Sequence, residues 1–519
     1  MRPGVIRSGA ATARAPGVCR RPAFGEFWAV PTAADSLLAP PPPRLRAPWP
    51  GAFAAAILRS PLGFIQRVAD GAAARGAELV RVRAAGRTFV VVTTPDLVRE
   101  VLVTQQRKFG RGFAHRGLRL FLGEGLLTSE DPLHRRQRRL AQPAFHRERI
   151  AGYARVMAAA AERWHARWAA LAAERGGGGA VALDVAAEMN ALTLGIAGET
   201  LFGARVDTAA RDVADAVSAA LRVSPIAFLP FARAAMRLPI PAARRFVAAR
   251  DRVDRVVLGM IAARRAARAA GADDQPDDLL AMLLDATDPD EGGARMSDAQ
   301  LRDEVITLFL AGHETTASAL AWTWHLLAAH PATQACLHAE LDAAFPADGG
   351  PPPAPTFADL PRLPYTRAVL QEAMRLYPPG YAIGRLCVEP AVLAGHRIEP
   401  GWGVITSPFL AHRDPRVWPE PLAFRPERWL GGTPEEAAAR RAAYVPFGGG
   451  SRICIGEQFA WTEMTLVLAL LARRWAARPE PGHAVRAQGA VTLRPATGVR
   501  AVLTARPGAA GSAVQADAA

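Results

Sequence analysis

Ten residues near the C-terminal end, Phe447-Gly448-Gly449-Gly450-Ser451-Arg452-Ile453-Cys454-Ile455-Gly456, place one thiol and one guanidinium in a loop with four glycines. Glycines on both sides of Cys454 let the backbone approach a flat ligand closely and aim its N–H groups at the sulfur, where a side chain would clash. A free cysteine titrates at about 8.5, so an anionic sulfur in apolar surroundings needs a metal and N–H donors. The helix predicted to start after Gly456 adds its positive end. The chemistry suggested is a buried thiolate ligand.

A second segment, Ala311-Gly312-His313-Glu314-Thr315-Thr316, falls inside a predicted helix from about Asp298 to His330. Gly, an acid and two Thr in mid-helix cost helix propensity, and a Thr hydroxyl can divert a backbone carbonyl and open a local kink. A solvated surface helix would explain Glu314 and Thr315 equally well, but Phe309, Leu310 and Ala311 beside them argue for burial. A third segment, Glu372-Ala373-Met374-Arg375, puts acid and base three apart on one helix face, a spacing that by itself is common in surface ion pairs. It is followed by Leu376-Tyr377-Pro378-Pro379 and, further on, by Phe424-Arg425-Pro426-Glu427-Arg428-Trp429.

Together these segments resemble the cytochrome P-450 family, in which Phe, Gly, Arg, Cys and Gly recur at the spacing of residues 447–456. The resemblance implies a haem b cofactor with Cys454 as axial iron ligand, whose electron donation favours O–O cleavage. Phe447, Gly448 and Gly456 would shape the haem loop. Arg452, Arg385, His134 and Arg138 would pair with the haem carboxylates, although many members carry Trp where His134 stands. Glu314 and Thr315 would deliver protons to dioxygen, a contribution of roughly 10²- to 10⁴-fold in rate. Glu372, Arg375 and Arg428 would form a buried network needed for haem loading. Arg135, Arg136 and Arg139 would either face outward on the proximal side toward an acidic electron-transfer protein or form a solvated helix face.

The implied reaction is that of a monooxygenase: one atom of O₂ enters an unactivated C–H or C=C bond and the other leaves as water. No flavin or nicotinamide segment follows residue 502, so a separate ferredoxin and ferredoxin reductase are expected as electron donors. Two rival readings are a haem-thiolate peroxygenase or isomerase, which usually lacks the acid–alcohol pair, and a haem gas sensor, which would carry a signalling domain. The resemblance places the substrate among Gly112 to Leu126, about Leu192 to Phe246, Phe309 to Ala311, Gly380 to Ile383, and Val491-Thr492. These segments are largely small and apolar, which suits a hydrophobic substrate such as a fatty acid, alkane or terpenoid.

The elements that must position these residues read as mainly α with a small β region, the cytochrome P-450 fold. Residues 47–505 are expected to form the catalytic domain, with a disordered Arg/Pro-rich leader (1–46) and a disordered tail (506–519). Pro40 to Pro43 read as a stiff spacer, with folded sequence starting near Trp49. Two strands, Glu78 to Arg83 and Thr88 to Val92, flank a turn at Ala85-Gly86. Helical periodicity dominates from Pro95 to about Phe345, interrupted by Gly176 to Gly179, by Pro239 and Pro241, and by the acidic loop Asp285 to Gly293. Further helices are expected over Arg362–Leu376 and Glu457–Trp475.

Half of the 519 residues are hydrophobic and 21% are charged, enough apolar material for a large core. The net charge of +15 is carried by arginine, since Lys108 is the only lysine. Two readings stand: a positive face that steers an acidic partner, or arginines solvated on helix surfaces. Their dispersal argues against nucleic-acid binding. Four scattered cysteines, Cys19, Cys336, Cys387 and Cys454, do not make a disulfide framework and favour a reducing, cytoplasmic compartment. The N-terminus lacks the run of about 20 apolar residues that a transmembrane anchor needs; a transit peptide, an over-long start and a disordered leader all remain compatible with it. A soluble monomer is expected. Nothing in the spacing of His313, His325, His330 and His412 suggests zinc.

Overall fold

The computed structural model of the chain describes residues 39–49, 51–174, 179–203, 241–271, 278–346 and 353–506. Most of the expected leader, nearly all of the expected tail and residues 204–240 of the expected substrate wall lie outside the described residues. The elements that build the site are, in chain order, strands β1 (Leu79–Ala84), β2 (Arg87–Val92), β3 (Phe109–Arg111), β4 (Ala180–Asp184), β5 (Ile383–Cys387), β6 (Gly403–Thr406), β7 (Trp475–Pro479), β8 (Ala487–Gly489), β9 (Leu493–Pro495) and β10 (Arg500–Ala505). The helices are α1 (Phe113–Leu122), α2 (Leu133–Ala141), α3 (Arg147–Glu174), α4 (Val185–Phe202), α5 (Pro241–Ala269), α6 (Asp298–Ala329), α7 (Pro364–Leu376) and α8 (Glu457–Arg474).

Helix α6 starts where local chemistry tells it to. The Ser297 side chain accepts from the Gln300 amide and the Gln300 side chain accepts from the Ser297 amide, a reciprocal cap that satisfies two free N–H groups. From Leu301 to Ala328 it is buried along most of its length, so it forms a central rod and not an amphipathic surface helix. Helix α8 is likewise buried, and Trp168 of α3 makes edge-to-face contacts with Trp324 of α6 and Trp475 of β7, at ring separations of 6.3 and 5.9 Å. The large apolar core formed around these helices holds the thiol-bearing loop from one side.

The main sheet has the order β1-β2-β6-β5-β3. Its first hairpin turns at Ala85 (φ 49°) and Gly86 (φ 76°), the left-handed pair that matches strand twist in a two-residue turn. The chain joins this sheet earlier than Trp49. Arg81 N donates to Pro43 O at 2.8 Å and Leu45 N to Arg81 O at 2.9 Å, while Pro40 O accepts from Arg397 N at 2.9 Å in a separate hairpin, 391–393 against 396–398. Pro40–Pro43 is therefore a strand-edge segment and not a free spacer. Proline lacks the donor N–H but keeps its carbonyl, which suffices at an edge. A second sheet has the order β7-β10-β4, and β8 and β9 form a separate hairpin. The acidic loop after residue 285 folds into a short ladder, 287–288 against 294–295.

Candidate active site

Cys454 N donates to Phe447 O at 3.0 Å and Ile453 N to Gly450 O at 3.1 Å, so the loop folds back on itself around the cysteine. Gly448 (φ 77°) and Gly450 (φ 70°) take the left-handed conformation this turn needs, and a Cβ on Gly450 would collide with Leu102 O and Gln106 Oε1. A Cβ on Gly456 would lie 4.0 Å from Cys454 Sγ and 3.7 Å from Phe145, beside the start of α8. The Cys454 side chain is exposed in the structure, which holds no ligand. Burial pushes the thiol up to about 11, against the opposing pull of the Gly456 amide and Arg138. It is a neutral thiol unless a metal cation takes the place of its proton. Ile455, next to it, shares an apolar cluster with Phe309 and Leu310 of α6, which brings the two sequence motifs into one neighbourhood.

On α6, residues 301–310 are buried apart from the half-buried Asp303, whereas Ala311 is exposed and Gly312, Glu314 and Thr315 are half-buried. Nothing lies within 4 Å of a Cβ built on Gly312. A central helix that becomes accessible at this point faces an opening. The helix runs through the motif without interruption. Three consecutive carbonyls here accept hydroxyl donors: Ala311 O from Thr315 at 2.7 Å, Gly312 O from Thr316 at 3.1 Å, and His313 O from Thr193 of α4 at 3.1 Å. Glu314 and Thr315 are adjacent, but their side chains bond elsewhere, Glu314 Oε1 accepting from Thr492 Oγ1 at 2.8 Å.

The third part of the site is a surplus of buried positive charge. Arg111 of β3 and Arg385 of β5 are register partners in neighbouring antiparallel strands, both largely buried. Like charges placed opposite one another destabilise a ladder unless an anion lies between them. Arg452 joins them: burial and its neighbour Arg452 hold Arg385 down at about 10, and burial, Arg452 and Arg385 hold Arg111 down at about 8. Burial beside these cations also keeps His115 well below its usual range and His134 at about 4. Glu130 and Asp131 offset part of the charge, Arg452 donating to Glu130 Oε2 at 2.9 Å and Arg111 N to Glu130 Oε1 at 2.7 Å. Arg111 Nε and His115 Nδ1 are buried without a hydrogen-bond partner. Such a set fits a dianion, and the two carboxylates of a haem are one. Of the residues expected in this role, Arg385, Arg452 and His134 are brought together, whereas Arg138 donates to Ile453 O at 2.7 Å, beside the thiol.

Arg111 and His115 escape the sequence reading. Strand alternation puts Arg111 on the buried face of Phe109, a signal that was available; His115 carries none. Of the arginines expected on an outward face of α2, Arg135 and Arg139 are exposed and Arg136 is half-buried. Arg136 and Arg139 pair with buried Asp288 at 2.9 and 2.6 Å, and with Glu291 and Asp290, so the acidic ladder neutralises them. Arg135 stays outward, its side chain 72% exposed.

Glu372 and Arg375 of α7 are completely buried. Arg375 donates Nε to Glu372 Oε2 at 2.9 Å and Nη2 to Oε1 at 2.8 Å. Its remaining donors reach His412 O, Pro421 O and Ala423 O. Arg428 Nε and Trp429 Nε1 complete the carboxylate at 2.8 and 2.9 Å. A buried pair of this kind is stable only because nearly every donor and acceptor is used.

Comparison with known proteins agrees with this geometry. Residues 40–494 match the family model for cytochrome P450. The chain is 41% identical over 80% of its length, and 86% of the other's, to cyclooctatin synthase of Streptomyces melanosporofaciens. It is 38% identical over 82% (87%) to cyclooctat-9-en-7-ol 5-monooxygenase of the same organism, and 35% identical over 87% (94%) to pentalenene oxygenase of Streptomyces avermitilis. Its fold is similar to the crystal structure of the cytochrome P450DA heme domain, with a TM-score of 0.77 and 28% identity over 91% of this chain and 99% of that one. With the thiol-bearing loop, the accessible acid–alcohol turn and the buried cations at one site, this chain belongs to the cytochrome P450 family and is one of its haem-dependent monooxygenases.

Proposed function

We propose that this monooxygenase hydroxylates or epoxidises a cyclic terpenoid, holding haem b by the thiolate of Cys454. The observation that carries the reading is the cluster of Arg111, Arg385 and Arg452, the last of them two residues from that cysteine, whose charge Glu130 and Asp131 offset only in part, which calls for a bound dianion beside a thiolate ligand. Haem, when bound, supplies the redox chemistry that activates O₂. In sum, R–H, O₂, two electrons and two protons give R–OH and water.

The chain's own residues have four tasks. Arg111, Arg385 and Arg452, with His115 and His134, take up the haem carboxylates, while Arg138 fixes the ligand loop through Ile453 O. Phe447, Gly448 and Gly456 keep that loop close and free of side chains. Glu314 and Thr315 hold and pass the protons that the reaction consumes. Glu372, Arg375 and Arg428 keep the folded loop ready for haem. The described parts of the proposed substrate wall, Gly112 to Leu126, Phe309 to Ala311, Gly380 to Ile383 and Val491-Thr492, are mainly apolar. Relatives named for pentalenene and cyclooctat-9-en-7-ol favour a terpenoid over a fatty acid. The protein acts as a monomer in the cytoplasm, its catalytic domain starting at Pro40, and takes electrons from a separate ferredoxin and its reductase.

The test uses purified protein with a ferredoxin, ferredoxin reductase and NADPH under ¹⁸O₂, offered pentalenene, cyclooctat-9-en-7-ol and dodecanoic acid. Incorporation of one labelled oxygen into a terpenoid is expected. Oxidation of dodecanoic acid alone, or of none of the three, overturns the substrate class. The reduced carbon monoxide complex should show a red-shifted Soret band that Cys454→Ala loses; a band unchanged by the substitution overturns the ligand.

A further inference from the structure

The carboxylate of Glu314 is held by a residue from the far end of the chain. Its Oε1 accepts from Thr492 Oγ1 at 2.8 Å, across 178 positions of sequence. Thr492 is buried, 4% exposed, at the tip of the hairpin formed by β8 and β9, where the last ladder pair is Gly489 with Leu493. That tip is fixed in several places. Trp322 Nε1, two turns along α6 from Glu314, donates to Leu493 O at 3.0 Å; Leu493 N donates to Pro379 O at 2.9 Å; Tyr381 OH donates to Ala490 O at 3.0 Å; and Ala490 N donates to Thr492 O at 3.0 Å. The backbone at 492 is therefore immobilised, and a β-branched side chain on it has few rotamers. A hydroxyl so placed does not follow its partner; the partner follows it.

We propose that Thr492 is a positioning residue for Glu314: its hydrogen bond selects the carboxylate rotamer from which the proton is passed, and ties it to the hairpin tip beside the substrate. The inference rests on the reading of Glu314 as the proton-handling acid. A donor whose own position is fixed favours the one rotamer of a flexible three-torsion side chain that reaches it. Because Val491 and Thr492 are also assigned to the substrate wall, the fixed tip sets the place of the acid relative to the substrate space.

The experiment compares haem-loaded wild type, Thr492→Val, Thr492→Ser, Glu314→Gln and the double variant Glu314→Gln/Thr492→Val, with pentalenene as the probe. With positioned proton transfer worth roughly 10²- to 10⁴-fold in all, Thr492→Val should lower kcat about tenfold, leave KM within about twofold and raise peroxide released per NADPH. Thr492→Ser, which keeps the hydroxyl, should restore both. Thr492→Val should slow Glu314→Gln no further in the double variant, and hydrogen–deuterium exchange of residues 487–495, a readout independent of turnover, should stay at the wild-type rate in Thr492→Val, because the other bonds hold the tip. Wild-type kcat in Thr492→Val, or several-fold faster exchange, which would assign its slower turnover to a loosened hairpin, overturns the proposal while an impaired Glu314→Gln leaves the role of Glu314 standing. Wild-type turnover in Glu314→Gln overturns that role itself. If Thr492→Val does not load haem, Thr492→Ala carries the same expectations.

Discussion

Glu304, on α6 upstream of the acid–alcohol turn, is a carboxyl with no access to solvent. One oxygen accepts from Leu126 N at 3.0 Å and the other has no partner among the described residues, as is true of Thr307 Oγ1 one turn on. Burial outweighs the single amide and raises the group from 4.5 to about 8. The sign follows directly. Between pH 4.5 and 8 the folded protein keeps a proton that the unfolded chain has released, so stability is full below 4.5 and falls as pH rises through 8. For one proton the slope is at most about 1.4 kcal/mol per pH unit. Urea unfolding of the holoprotein at pH 5, 6.5 and 8 should show wild type losing stability more steeply than Glu304→Gln; parallel curves would contradict this account. The sequence makes Glu304 look like any helix acid, since its one partner, the Leu126 amide, lies 178 positions away in the chain.

At the scale of elements, α7 shows how much a motif owes to what packs on it. An acid and a base three apart read as an ordinary surface pair, worth a few tenths of a kcal/mol. Carbonyls from His412, Pro421 and Ala423, arriving from nearly 40 to 50 residues downstream, make it a buried junction of several segments. Removing one partner of such a pair costs about 3–5 kcal/mol, because the other charge is left buried. Glu372→Gln should therefore purify with a reduced haem-to-protein absorbance ratio and a lower Tm. Arg375→Lys should not rescue the function, since an ammonium cannot reproduce the two-pronged contact. Full haem content in Glu372→Gln would show that the junction is dispensable for loading.

The whole molecule carries a net charge of +15, almost all of it arginine. Many of these side chains are committed: Arg136 and Arg139 to the acidic ladder, and Arg264 and Arg302 to Asp278 and Asp254. Long-range attraction depends on the net excess of positive charge and not on any one pair. Stopped-flow reduction by an acidic ferredoxin should slow markedly between 10 mM and 1 M salt, over which the Debye length falls from about 30 to about 3 Å. A rate indifferent to salt would mean that the arginines are merely solvated. No helix among the described residues is long and apolar enough to cross a membrane.

The sequence by itself determined the elements with strong local signals: the central helix, the two-residue turn at Ala85-Gly86 and the glycine loop around Cys454. Each rests on interactions within a few positions, where glycine φ, caps and periodicity decide the outcome. Only the tertiary structure decided that Arg111 opposes Arg385, that Pro40–Pro43 joins a sheet edge, that Asp288 claims Arg136 and Arg139, and that Thr492 reaches Glu314. Those are pairings between segments far apart in the chain, and the drive to give every buried charge a partner, which selects them, acts only once the chain has packed.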